Sequence, residues 1–339
     1  MTLWIKLCFP LALVCLSGCA SYVADEITRP KEMSSIAMFS DIANITALCG
    51  ETGECINAVE LAHPIDTSVF SLSLNGKVNN NHSIWRYKFR NSEDYYAKNA
   101  DNNLIVLFPG YGQSVNTLFV MQKWLHVTTG AKVFVVQSAN RAEHFQFGLD
   151  SVSPIVSLIN REQPKNVKLI GFSMGAVAAH AVAQQVENAE LHLVAPMTNF
   201  EQSTLGVWDV WTRDSLYKFF VSHETLKDAV RLVHERAQFS AQDIDITRAA
   251  PSSSTPAHIY ISSSDSVTPA QNWQGIESNA WLFHEYTGLN HLEMVTLLQK
   301  DLFLAFAANL LGKEADAADI ATFGLMCDAN DEACMSQEL

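Results

Sequence analysis

The chain has 339 residues, 48% of them apolar and 17% charged, enough to bury the core of one large α/β domain with additions, or of two small domains. Its formal net charge of −14 works against a nucleic-acid partner, whose phosphates would be repelled, and against adsorption to an anionic lipid surface by charge alone. The sequence holds no P-loop, G-x-G-x-x-G turn, H-E-x-x-H helix or C-x-x-C pair, so nucleotide and zinc chemistry lack support and no metal or cofactor is expected.

Residues 1–18 read as a secretory signal, with one lysine, an apolar run from Leu7 to Leu16 too short to span a bilayer, and small residues before Cys19. Leu16-Ser17-Gly18-Cys19 resembles a bacterial lipobox, which implies cleavage before Cys19 and acylation of that residue. Ala20 stands where aspartate usually marks inner-membrane retention. The same resemblance therefore implies an outer-membrane lipoprotein, periplasmic or surface-facing, attached to the membrane by an N-terminal lipid. An ordinary cleaved signal with a buried Cys19 is the alternative. Residues 19–66 show no clear period and read as a tether with a small N-terminal extension. Cys49 and Cys55 form one close pair and Cys327 and Cys334 another, each flanked by turn-forming or acidic residues. In an oxidising compartment they are expected as disulfides Cys49–Cys55 and Cys327–Cys334, with the crossed pairings as alternatives. Metal binding is the weaker reading, because neither loop contains a histidine.

The first part of the core is expected over residues 67–199. Val69–Leu74 and Ile84–Phe89 alternate as antiparallel strands, with turn chemistry at Asn75-Gly76 and Asn79–Asn81. From Leu104 the rhythm becomes strand, loop, helix. Leu104–Phe108 is a buried strand, Pro109-Gly110-Tyr111-Gly112 its loop, and Asn116–Val127 the following helix. Lys132–Val136 and Val152–Arg161 repeat the unit, with Pro154 in the helix's first turn. Val167–Ile170 is a strand buried on both faces, Ala176–Ala183 a small-residue helix, and Glu190–Val194 another strand. Such repeats imply an α/β fold, a mostly parallel sheet with right-handed crossovers and helices on both faces.

The rhythm stops after Val194. Residues 200–255 lack a good strand and read as a helical cap, with pieces at Arg213–Val221 and Glu224–Gln238. Trp208, Trp211, Phe219 and Phe220 supply aromatic surface, either for a substrate pocket or for the insertion's own core. The second part of the core, residues 256–312, adds strands His258–Ser262 and Ala280–Glu285 and a long helix His291–Leu311. Residues 313–339 form an acidic appendage closed by the second cysteine pair.

Gly171-Phe172-Ser173-Met174-Gly175 falls between an apolar strand and an Ala-rich helix. In that context G-x-S-x-G is a nucleophile elbow, a tight turn that lifts the serine hydroxyl above the sheet. A serine hydroxyl is a poor nucleophile at neutral pH and needs a base, an acid that orients the base, and donors for the oxyanion. Parallel sheets place such groups past the C-terminal ends of their strands. Asp265 follows the strand His258–Ser262 and His291 follows Ala280–Glu285, giving the chain order Ser173, Asp265, His291. Asp265 as a mere helix cap and His291 as a surface residue are the bland readings, and their joint placement after the last two strands weighs against them. The oxyanion donors are expected from the N–H groups of Met174 and Tyr111, with Gly110 and Gly112 letting the loop bend close. Rival residues fit less well. His284 lies within a strand, His180 is deep in the elbow helix, and Asp209 and Asp214 precede the strand that should carry the acid. Glu293, behind His291, receives no role.

The segment from about Leu104 to Leu311 resembles the α/β-hydrolase superfamily in motif order, strand order and placing of the cap. Leu107-Phe108-Pro109-Gly110-Tyr111-Gly112 is similar to that family's oxyanion loop, with Pro109 where histidine is frequent and Asn290 where a glycine often precedes the catalytic histidine. The reading is an anchored serine hydrolase that cleaves a carboxylic ester through an acyl-enzyme, carboxylesterase-like or lipase-like, on a small-molecule or lipid ester. Thioesterase, peptidase and acyltransferase chemistry fit the same triad, and a non-catalytic outer-membrane binding protein is the alternative of another class. The oligomeric state is not readable from the sequence.

Overall fold

The computed structural model describes residues 20–30, 43–61, 69–78, 81–90, 102–212, 221–297 and 299–312. The expected signal segment 1–18, Cys19, the Cys327–Cys334 pair and the appendage 313–339 lie outside these residues, as do Asp214 and nearly all of the helical piece Arg213–Val221.

The main sheet has eight strands: β1 (Ala43–Cys49), β2 (Cys55–Leu61), β5 (Asn103–Phe108), β6 (Lys132–Val136), β7 (Asn166–Phe172), β8 (Ala189–Val194), β9 (Ala257–Ser262) and β10 (Trp281–Tyr286), in the order β1-β2-β6-β5-β7-β8-β9-β10. From β6 to β10 every pairing is parallel, while β1 and β2 run antiparallel to each other and β2 antiparallel to β6. The inner strands β5 to β9 are short and almost wholly buried because both faces are covered, whereas the edge strands β1 and β10 are partly exposed. In β5, Leu104, Val106 and Phe108 enter one core layer and Ile105 and Leu107 the other.

Helices α1 (residues 20–28), α3 (Val152–Glu162), α4 (Gly175–Ala183) and α6 (His223–Ala237) contribute to the first layer. The second layer lies under α2 (Val115–Thr129), α7 (His291–Thr296) and α8 (Lys300–Leu311). Trp124 of α2 meets Phe303 of α8 edge-on at 5.2 Å between centroids.

Several elements differ from expectation. Residues 43–61, read as part of a tether and extension, instead form β1 and β2 and complete the sheet, bridged by the Cys49–Cys55 disulfide. A local pattern cannot show this, because what orders β2 is a distant partner: Gln137 N–H donates to Asn57 O at 3.0 Å and Asn57 N–H to Gln137 Oε1 at 3.2 Å. β3 (Val69–Val78) and β4 (Asn81–Arg90) form a separate two-stranded sheet. Its pairing runs through Asn75 and Gly76 to Val78 opposite Asn81, so the chain does not turn at Asn75-Gly76.

The insertion begins with α5 (Phe200–Thr212), ahead of the expected first piece, and continues with α6. The long helix expected over His291–Leu311 is two helices. Leu297 adopts a left-handed φ of 51° and ends α7, and the Gln299 side chain accepts from Leu302 N–H at 2.8 Å to start α8.

Candidate active site

Ser173 joins β7 to α4 with φ of 50°, a conformation that non-glycine residues rarely hold without support. Here the support is double: Ser173 N–H donates to Val194 O at 3.0 Å, and Ser173 O accepts from Met197 N–H at 3.0 Å. The flanking glycines leave no room for a side chain. A Cβ on Gly175 would lie 2.2 Å from Phe108 O, and one on Gly171 would lie 2.6 Å from Ala176 Cα. The turn is therefore compressed between β5 and α4, and the serine stands half-buried at the rim of the sheet.

Asp265 sits in the turn after β9, its side chain fully buried. Oδ1 accepts from the N–H groups of Val267 at 2.8 Å and Thr268 at 3.0 Å, and Oδ2 accepts from the Thr268 hydroxyl at 2.7 Å. Burial would raise its pKa, but the hydrogen bond and charge of His291 and the two Thr268 donors outweigh it and hold the carboxyl below its ordinary range.

His291 opens α7. Asn290 caps that helix by accepting from Glu293 N–H at 3.1 Å, and the Glu293 carboxylate accepts from Asn290 N–H at 2.8 Å. This reciprocal capping box fixes the backbone beside the imidazole. It gives Glu293 a structural part and explains an asparagine rather than a glycine before the histidine. His291 Nδ1 lies 2.7 Å from Asp265 Oδ2, and Nε2 lies 3.1 Å from Ser173 Oγ. An ionised carboxylate only accepts, so Nδ1 carries the proton and Nε2 presents its lone pair to the serine.

The loop after β5 closes the other side. A Cβ on Gly110 would come within 3.2 Å of Ser173 Cβ, so the loop runs directly against the serine turn. Gly110 N–H donates to Gln113 Oε1 at 2.8 Å and Gly112 N–H to Ser138 Oγ at 3.0 Å, while the Ser138 hydroxyl donates to Gly110 O at 2.7 Å. The amides on both sides of Tyr111 are thus engaged. Among the described residues neither Tyr111 N–H nor Met174 N–H has a hydrogen-bond acceptor.

The insertion after β8 reaches this rim through α5, whose Gly206 lies so near the acid turn that a Cβ would stand 2.3 Å from Ser266 O. Trp208 is half-buried on that helix, whereas the Trp211 side chain, Phe219 and Phe220 lie outside the described residues. A different aromatic set packs against the insertion. Phe145 and Phe147, from the segment after β6, are 5.0 Å apart between centroids, and Phe147 meets Phe200 of α5 at 5.0 Å and His234 of α6 at 5.1 Å.

The rival residues are engaged elsewhere. His180 packs edge-on against Trp281, and burial pushes its pKa down to about 4. His284 stacks on Tyr260 and His258, and Asp209 pairs with His223 at 2.8 Å on the surface. Among the described residues no cluster of His, Cys, Asp and Glu could hold a metal ion, and no helix is long and apolar enough to cross a membrane.

Sequence reasoning missed Thr268, Ser138 and Gln113. Thr268 stands three residues after Asp265, a spacing at which Asp often captures the following amides, so that signal was present. The Ser138 bond to Gly110 spans 28 positions and leaves no local trace.

No protein-family profile and no curated protein sequence matches the chain. Among solved structures it is similar to an esterase of Pyrococcus furiosus. In one crystal form the TM-score is 0.54 at 12% identity, with 85% of this chain and 97% of the esterase covered. In two others the TM-score is 0.53, at 10% and 11% identity, covering 84% and 85% of this chain and 99% and 96% of the esterase. At such identity the likeness is one of architecture, and together with the mostly parallel eight-stranded sheet it shows that this chain has the α/β-hydrolase fold.

Proposed function

We propose that the protein is a serine hydrolase that cleaves a carboxylic ester through an acyl-enzyme. The observation that carries this reading is the continuous path from Ser173 Oγ to His291 Nε2 at 3.1 Å and from His291 Nδ1 to Asp265 Oδ2 at 2.7 Å. Ser173 Oγ attacks the ester carbonyl while His291 Nε2 takes its proton. Asp265 holds the imidazole in the needed tautomer and stabilises the imidazolium that forms. The oxyanion meets the N–H groups of Tyr111 and Met174. Collapse of the tetrahedral intermediate breaks the bond to the alkoxy group, which leaves with the His291 proton. Water, deprotonated by the same nitrogen, then releases the acid and restores the serine.

The ester is favoured over other acyl donors because the Pyrococcus furiosus protein that shares the fold is an esterase, and because Trp208 stands on the helix beside the acid turn. Trp211, Phe219 and Phe220 remain pocket candidates from the sequence alone. We place the protein in a bacterial cell envelope, held by a lipid on Cys19, on the strength of the lipobox-like Leu16–Cys19 segment.

Labelling by a fluorophosphonate probe tests the chemistry. The parent protein should be modified at Ser173 and the Ser173→Ala variant should not. Equal or absent labelling of the two would leave a non-catalytic binding protein as the better account. A chain-length series of chromogenic esters set against aminoacyl anilides then separates esterase from peptidase, and mass spectrometry of the mature N-terminus tests Cys19.

A further inference from the structure

Helix α1 is docked rather than free. Ala24 and Ala20 are buried, Val23 and Ile27 pack on the core, and Arg236 of α6 holds Asp25 at 2.7 Å and Ser21 at 3.2 Å. Its last turn reaches the oxyanion loop, because the Tyr111 hydroxyl donates to Ile27 O at 2.8 Å while the ring stands edge-on to Phe145.

This contact bears on one peptide unit. Gly110 O and Tyr111 N–H belong to the same planar amide and point in opposite directions. The carbonyl is gripped by the Ser138 hydroxyl at 2.7 Å and by Gln113 N–H at 3.1 Å. Those bonds fix the carbonyl end of the plane, and the Tyr111 side chain, held at Ile27 O, anchors the Cα at its other end, between two glycines that leave the loop free to pivot. Tyr111 is 37% exposed, and a phenol is a donor at neutral pH; partial burial and Glu26 push its pKa further up, to about 12.

We propose that α1 is a positioning element for the reaction: by holding the Tyr111 side chain through Ile27 O, it aims the Tyr111 N–H at the oxyanion. This inference rests on the serine-hydrolase reading. A segment read from sequence as a tether thus becomes part of the frame of the active site.

Three full-length variants test it. Tyr111→Phe keeps the ring and removes the hydroxyl, Ala24→Asp undocks the helix, and Arg236→Ala loosens it without burying a charge. A misplacement of ~1 Å can cost about 10²-fold, so kcat should fall roughly 10-fold for Tyr111→Phe and for Ala24→Asp, with KM changed by less than about twofold. The inhibition constant of a trifluoromethyl ketone, which mimics the oxyanion, should rise in parallel, and the Tyr111→Phe/Ala24→Asp double variant should lose no more than the worse single one. Arg236→Ala should show the same split in smaller measure, with thermal melting distinguishing it from unfolding. Parent-like kcat in Tyr111→Phe, or losses that multiply in the double variant, would overturn the proposal. If the parent itself were not labelled at Ser173, it is the underlying reading that fails instead.

Discussion

Two imidazole–carboxylate pairs, one just past the strand ends and one within the sheet, have similar bonds and different surroundings. At the rim, His291 Nδ1 faces Asp265 Oδ2 at 2.7 Å; in the body of the sheet, His192 Nε2 faces Glu190 Oε1 at 2.9 Å. The bond lengths barely differ, so pairing with a carboxylate does not by itself make a base. The difference lies in the second nitrogen. His291 is 20% exposed and turns Nε2 to a hydroxyl, whereas His192 is fully buried and its Nδ1 has no partner among the described residues. His192 is also stacked at 5.1 Å on His258, which reaches His284 at 3.0 Å. Burial holds the His192 pKa below the ordinary histidine value, against the opposing pull of Glu190. Burial would raise Glu190 in turn, but the hydrogen bonds of His192 and Lys168 bring it down to about 2. On the proposed reading the first pair passes a proton, whereas the second closes a polar seam across neighbouring strands, with His192 buried and Glu190 30% exposed.

The widest gap between the pairs should appear in catalysis. Ser173→Ala removes the group that only the rim pair serves, and kcat for a chromogenic ester should fall by about 10⁶-fold. Asp265→Asn keeps the shape but favours the wrong histidine tautomer, for a loss of about 10⁴-fold. A smaller loss would mean that Thr268, whose hydroxyl lies 3.3 Å from His291 Nδ1, orients the imidazole without the acid. His192→Ala should leave kcat unchanged and lower stability by about 2–3 kcal/mol, through a cavity and an under-bonded Glu190. Denaturant melts beside ester turnover measure both, and a marked loss of turnover in a folded His192→Ala protein would erase the distinction between the pairs.

The rim was readable in sequence because its parts carry short-range marks. Ser173 lies between an apolar strand and small residues, and Asp265 and His291 each follow a strand whose pattern is unambiguous. The sheet pair was not readable. His192, His258 and His284 sit in three strands, and their contact depends on registers such as His192 opposite His258 that no local pattern states. β1 and β2 were lost for the same reason, since β2 is ordered by Gln137 some 80 positions away. The start of α5 differs, because it does carry a local mark. Asn199 Oδ1 accepts from Gln202 N–H at 2.9 Å, and an asparagine three residues before a glutamine, ahead of an apolar run, is a visible start signal. The break at Leu297 had none, because leucine is a poor candidate for the left-handed conformation it adopts there.

The smallest effect concerns how the sheet seam responds to acid. His258 is pushed down to about 4, first by burial and then by His192, with Glu190 pulling the other way and Lys168 adding to the depression. Its folded form is therefore neutral, while the unfolded chain takes up a proton near the ordinary value of 6.5. The stability this supplies is whole above 6.5 and drains as pH falls toward 4, because the unfolded state then binds more protons. Glu190 enters only at the acid end of that window, since a carboxylate lowered to about 2 loses its contribution mainly as pH falls from the ordinary 4.5. Asp150 has the opposite sign: burial raises it to about 6, so its protonation on acidification favours the fold. The raw curve mixes these terms, and the difference between the parent and His258→Gln isolates one of them. Between pH 7 and pH 4.5 the parent's melting temperature should fall about 2 °C further than the variant's. Parallel curves would mean that His258 titrates as if exposed, and that the seam is open to water in a way its stacked rings do not suggest.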